Sequence, residues 1–156
     1  MIEVFDGVRS SRDCPDEFIG SSSGDGRVFR SVFCDHIGQY VSFWSSRNYF
    51  PFHNYMVEFI LSVLPPSSSV WVADRLDTLE GSTSRAVPDL VYLDVFFEAE
   101  TGLKRSLKPL IRRLKKYRKF FYIVVPNNDV KRRYSKALPV FHGRLLTMKE
   151  LERERF

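Results

Sequence analysis

At 156 residues, 44% hydrophobic and 15% aromatic with fourteen Phe, the chain has the length and apolar content of one packed domain, which excludes a disordered polyelectrolyte. Its net charge of +5 hides a strong segregation: residues 101–136 carry thirteen Lys/Arg against Asp129 alone, a balance of +12, and the rest of the chain sums to −7. No apolar run approaches the ~20 residues needed to span a membrane, and MIEVFDGVRSSRD lacks a signal-peptide h-region. The expectation is an intracellular protein with no membrane partner.

In chain order, residues 1–26 read as a loop-rich N-terminal segment ending in GSSSGDG. Cys14 lies there, too far from Cys34 for a zinc cluster, and both are read as free thiols. Arg27–Cys34 and Gln39–Ser45 alternate around DHIG and predict a β-hairpin. PFHNYMVEFILSVL opens on Pro51, repeats apolar residues at helical spacing through Phe52, Met56, Phe59, Ile60 and Val63, and stops at Pro65-Pro66, which predicts an amphipathic helix. Val70–Asp74 reads as a short strand before the polar stretch RLDTLEGSTSR, and Val87–Glu100 as an acidic strand region. Thr101–Lys119 reads as a helix with the stripe Leu103, Leu107, Leu110, Ile111 and Leu114; Pro109 either kinks it or marks a later start. Phe120–Val125 has the continuous apolar run of a strand buried on both faces. DVKRRYSKA predicts a short helix, PVFHG a short strand, and TMKE the capping box of a C-terminal helix. The order predicts a single α+β domain over residues 1–156, a mixed, partly parallel sheet flanked by helices.

The stretch VPDLVYLDVFFEAETGLK holds Asp89, Asp94, Glu98 and Glu100 inside an otherwise strand-like run. Buried carboxylates are costly unless paired or bound to a cation. Residues 98 and 100 share one face of a strand; a hairpin between Asp89 and Glu98, with Asp94 marking the turn, would bring Asp89 beside them. Such carboxylates suit Mg²⁺ or Mn²⁺, which keeps several waters, takes one or two protein carboxylates and assists phosphodiester hydrolysis. The bland readings are that Asp89 caps a turn and that Glu98 and Glu100 face solvent on an edge strand. His36, His53 and His142 are scattered and read as structural or surface residues. GSTSR has no following Gly-Lys-Ser/Thr, so no P-loop and no nucleotide cofactor is expected.

PD, eight residues, then E-x-E, followed by a basic helix and YIVVPN, resembles the PD-(D/E)XK nucleases over about His53 to Tyr134. The resemblance implies a helix, a strand, the PD and acidic strand, a helix and a strand, with Asp89 and Glu98 as motif carboxylates. Glu100 stands where that family has Lys, so Lys104 is the candidate replacement ammonium, and Glu58 matches an acidic residue that some members add to the metal site. The SRAVPDLVYLD context, size and basic character are also similar to the small double-stranded-DNA nucleases of filamentous archaeal viruses, the lipothrixviruses of Acidianus. That second resemblance implies an atypical nuclease topology. It also implies that Ala86 stands in place of a catalytic carboxylate, which would make this chain an inactivated variant.

Together these readings give an expected deoxyribonuclease acting on linear double-stranded DNA. Its catalytic candidates are Ala86 (as a substituted carboxylate), Asp89, Glu98, Glu100 and Lys104, and its metal candidates Asp89, Glu98 and Glu100. Its phosphate-contacting candidates are Lys104, Arg105, Lys108, Arg112, Lys115, Lys116, Lys119, Arg132 and Arg133. The alternative is a non-catalytic viral DNA-binding protein whose acidic strand is structural. Oligomeric state is left open.

Overall fold

The computed structural model describes residues 2–15, 26–47, 49–73, 88–138 and 143–156. Chain order is β1 (Ile2–Phe5), β2 (Val8–Ser11), β3 (Val28–Cys34), β4 (Gln39–Ser45), α1 (Pro51–Val63), β5 (Val70–Val72), β6 (Leu90–Tyr92), β7 (Val95–Ala99), α2 (Lys108–Lys116), β8 (Phe121–Val125), α3 (Asn128–Ala137), β9 (Gly143–Thr147) and α4 (Met148–Glu152). The fold is α+β. Four strands form an antiparallel sheet in the order β1-β2-β4-β3, and five form a mixed sheet in the order β5-β6-β7-β8-β9. In the second sheet β5, β6 and β7 run antiparallel, whereas β7, β8 and β9 are parallel. Parallel neighbours need a crossover, and α2 and α3 occupy the two connections.

The alternation of β7 decides which layer each residue joins. Phe97 and Ala99 enter a core that takes Val32, Val41 and Phe43 from the first sheet, Phe52, Met56 and Ile60 from α1, and Met148 and Leu151 from α4. Phe96 packs on the opposite face, with Leu110 and Leu114 of α2, Tyr134 of α3, and Phe121, Ile123 and Val125 of β8. Strand β8 sends Val124 into the first core and those three residues into the second, so it is buried on both faces, as its apolar run predicts. Helix α1 thus lies between the two sheets. Asn127 Nδ2 donates to the Phe33 carbonyl at 2.8 Å and Asp35 N to the Pro126 carbonyl at 2.9 Å, tying the first sheet to the end of β8.

Two sequence readings are corrected, and a third falls mostly outside the described residues. The segment 1–26 is not loop throughout: β1 and β2 form a hairpin around Asp6-Gly7, with Gly7 at φ +79°. The basic helix does not begin at Thr101. Pro109 sits in its first turn, Leu107 is its N-cap, and it ends at Lys116. Proline is tolerated only at such a start, since its missing N–H would be unpaired there in any case. The strand read at PVFHG begins at Gly143; residues 139–142, His142 included, lie outside the described residues, as do Asp74, the GSTSR segment and Ala86. The capping box at Thr147 and Glu150 is present with both of its hydrogen bonds.

Candidate functional site

The β6–β7 hairpin turns through Leu93 (φ 48°) and Asp94 (φ 72°), two consecutive left-handed residues. This pairing favours the twist of a two-residue hairpin, and Asp tolerates it better than Leu. Asp94 therefore marks the turn, as its position in the strand predicts, and it is exposed, 3.9 Å from Lys119 Nζ. From that turn the register runs Tyr92 opposite Val95 and Leu90 opposite Phe97. The next step places Asp89 across from Glu98, and the Asp89 carboxylate accepts the Ala99 N–H at 2.8 Å. Nine residues of sequence separation become one rung of a ladder.

Glu98 and Glu100 are 1% and 2% exposed on the α2/α3 face of β7, so the solvent-facing reading of these residues is wrong. Glu98 accepts a hydrogen bond from the Tyr117 hydroxyl and one from Arg113 Nη2 at 3.4 Å. Glu100 accepts from the Tyr134 hydroxyl at 3.0 Å and lies 3.7 Å from Lys104 Nζ and 3.8 Å from Arg113 Nη2. Arg113 therefore spans both glutamates. On the other side of the rung, His53 in the first turn of α1 places Nε2 3.2 Å from Asp89 Oδ1. Its Nδ1 is buried with no hydrogen-bond partner among the described residues.

These contacts split the carboxylates. Burial alone would raise the Asp89 carboxyl, but the contact with His53 and the Ala99 N–H outweigh it and hold Asp89 below its ordinary value. Burial, reinforced by the Asp89 charge, pushes Glu98 well above the usual carboxyl range despite Arg113 and Tyr117. Burial also raises Tyr117 and Tyr134, and the facing carboxylates add to it, so both phenols stay protonated and donate. Arg113 resists burial through the two glutamates and is held as a cation more firmly than usual.

The three expected metal ligands do not converge as a set. Among the described residues no three His, Cys, Asp or Glu side chains stand close enough to form a cation cage. Asp89 and Glu98 are the pair that does meet, across one rung of the β6–β7 ladder. Two opposed carboxylates suit a hard divalent ion that needs only one or two protein oxygens. Glu100 is held instead by Tyr134, Lys104 and Arg113. Lys104 lies in the irregular connection before α2 rather than one turn into a helix, yet its ammonium does reach Glu100. Glu58 is exposed on α1, and His53 is the α1 residue that reaches Asp89.

The basic residues also divide. Lys108, Arg112, Lys115 and Lys116 are exposed on α2, and at 100° per residue they share the face opposite Leu110 and Leu114. Arg105 and Lys119 are exposed at either end of the helix. On α3, Arg132 pairs with Asp129, while Arg133 donates to the Gly102 carbonyl at 2.7 Å and stacks on Tyr134. Arg133, although exposed, therefore also clamps the connection that leads into α2. Sequence reasoning missed Tyr117, Tyr134 and His53 as site residues, and it read Arg113 only as one phosphate-contacting cation of the basic run, not as the partner of Glu98 and Glu100. A signal existed for Tyr117: it extends the spacing of Leu110 and Leu114, so its ring had to face inward beside β7.

No family model, no curated protein and no solved structure matches this chain. No helix among the described residues is long and apolar enough to cross a membrane.

Proposed function

We propose that the chain is a deoxyribonuclease that hydrolyses phosphodiester bonds of linear double-stranded DNA, with Asp89 and Glu98 as its reaction centre. The observation that carries this reading is the opposed, differently titrating pair Asp89/Glu98 beneath a helix whose outward face is cationic. Paired carboxylates whose environments drive their pKa values apart are a mark of acid–base sites. The element order α1, β5, β6, β7, α2, β8 agrees with the one that the PD-(D/E)XK resemblance implies.

In this reading Lys108, Arg112, Lys115 and Lys116 contact phosphates and set the duplex on α2 without reading sequence. Asp89 is held ionised by His53, and Glu98 is held in place by Tyr117. Asp89 and Glu98 would hold Mg²⁺ or Mn²⁺, which when bound would polarise the phosphate and ease deprotonation of water. Tyr134 and Lys104 fix Glu100 at the edge of the site.

A second reading rests on the depth of Glu98 and Glu100, which suits a structural polar network inside a non-catalytic DNA-binding protein. Incubation of linear duplex DNA with Mg²⁺, with and without EDTA, separates the two. The nuclease reading expects cleavage that EDTA abolishes. Salt-sensitive binding with intact DNA in every lane, from this chain and from its Ala86→Glu form alike, would favour the binding protein. Cleavage by the Ala86→Glu form alone would make this chain an inactivated nuclease.

A further inference from the structure

We infer that Arg113 is a catalytic residue of this site, contacting the scissile phosphate through the edge of its guanidinium that faces away from Glu98 and Glu100. The inference rests on the nuclease reading above and assigns a role that Glu100 cannot fill. A phosphodiester entering this centre meets like charge at Asp89, whose carboxyl is held below its ordinary value. Hydrolysis makes one P–O bond to water and breaks the one to the leaving sugar oxygen, with the water proton passing to that oxygen or to solvent. Negative charge on the phosphoryl oxygens must be met by donors already in place.

Arg113 is positioned for this. Among the described residues it is the cation that touches both buried glutamates. Both contacts run through Nη2, and the guanidinium carries further donors at Nη1 and Nε on the same rigid plane. One fork edge can hold the carboxylates while the other takes phosphate oxygens, the bidentate arrangement that Arg forms and Lys does not. Its side chain is 27% exposed against 2% and 3% for the glutamates, so of the three it is the one that solvent, and a ligand arriving from solvent, can touch. Leu110, Leu114 and Tyr117 anchor its helix in the second core, which fixes the base of the side chain. Lys104 is the weaker candidate: it is 52% exposed, touches Glu100 alone of the two glutamates and sits in an irregular connection.

The test is single-turnover cleavage of linear duplex DNA with Mg²⁺ by this chain and by its Ala86→Glu form, each with and without Arg113→Ala. Loss of one preorganised donor to developing charge is worth about 10²–10³ in rate. The expected result is therefore a drop of about 100-fold or more in whichever parent cuts. Duplex affinity, read by fluorescence anisotropy, should change little, and guanidinium chloride at millimolar concentration should restore cleavage where equal NaCl does not. Cleavage close to that of the parent would overturn the assignment, and so would a loss that guanidinium fails to rescue, which would make Arg113 a structural tie. Should Arg113→Ala not fold, Arg113→Lys keeps the charge and loses the fork; at least a tenfold loss is expected, and full activity would count against the role. If neither parent cuts DNA, the nuclease reading itself fails and this one with it, an outcome distinct from a loss confined to the Arg113 variants.

Discussion

Replacing Glu98 by Gln should stabilise the protein, and the gain should grow with pH. Glu98 is 1% exposed and faces Asp89, so its folded pKa lies well above its ordinary value of 4.5. Below pH 4.5 the carboxyl is protonated folded or unfolded, and its favourable contribution is fully present. As pH rises, the unfolded chain releases that proton first, while the folded protein must keep it or hold a buried carboxylate beside Asp89. Stability is therefore lost through the window from 4.5 up to the folded pKa. One proton can contribute at most ~1.4 kcal/mol per pH unit, or roughly 3–6 °C of Tm per unit for a chain of this size. Asp89, held below its ordinary 3.8, titrates beneath this window and does not mask it. Gln keeps an oxygen to accept from Tyr117 and carries no charge. Thermal melts of the parent and Glu98→Gln from pH 4.5 to 7.5 should diverge, with Gln the more stable at the upper end. A Tm difference that stays constant across that range would refute the claim that Glu98 is raised by burial and by Asp89.

Tyr134→Phe deletes the donor to Glu100, which is 2% exposed, and should cost about 1–3 kcal/mol in urea unfolding; an unchanged midpoint would mean that Lys104 and Arg113 satisfy Glu100 alone. His36 is lowered from 6.5 chiefly by burial, which the facing Glu152 only partly offsets. The unfolded chain thus takes up that proton first, and stability should fall as pH drops below 6.5. His36→Gln should flatten this slope, and the same acid slope in both proteins would exclude His36 as its source. On α2, changing Lys108, Arg112 and Lys115 to Ala one at a time should each lower the slope of log K against log salt by about 0.9 for every phosphate left without its cation. A slope untouched in all three would place the duplex elsewhere.

Periodicity alone made much of this molecule readable. The β3–β4 hairpin, α1, β8, α3 and the Thr147 cap follow from alternation, helical spacing and capping chemistry that act within a few residues. The acidic hairpin was legible because a period of two puts Glu98 and Glu100 on one face and because Asp94 suits a left-handed turn. The N-terminal hairpin carried its own signal in Asp6-Gly7, although IEVF and VRSS are too short and too polar to announce strands. What periodicity could not supply was partner choice across long separations. Arg113 reads as one of nine cations in a run, and only the packing of Leu110, Leu114 and Tyr117 against the sheet turns it toward Glu98 while Arg112 faces out. His53 meets Asp89, 36 residues away, because α1 is trapped between the sheets with its first turn at the start of β6. Glu58, five residues on, is carried to the solvent face by the same helix.

The most direct test of the central claim is single-turnover cleavage of linear duplex DNA with Mg²⁺ by Asp89→Asn and Glu98→Gln, in this chain and in its Ala86→Glu form, at protein concentrations that saturate the DNA. The Asp89/Glu98 centre expects cleavage by a parent, loss of at least about 100-fold in both variants, and unchanged duplex binding. Cleavage that survives both substitutions would move the chemistry away from this pair and leave the buried carboxylates as a structural network between β7, α2 and α3.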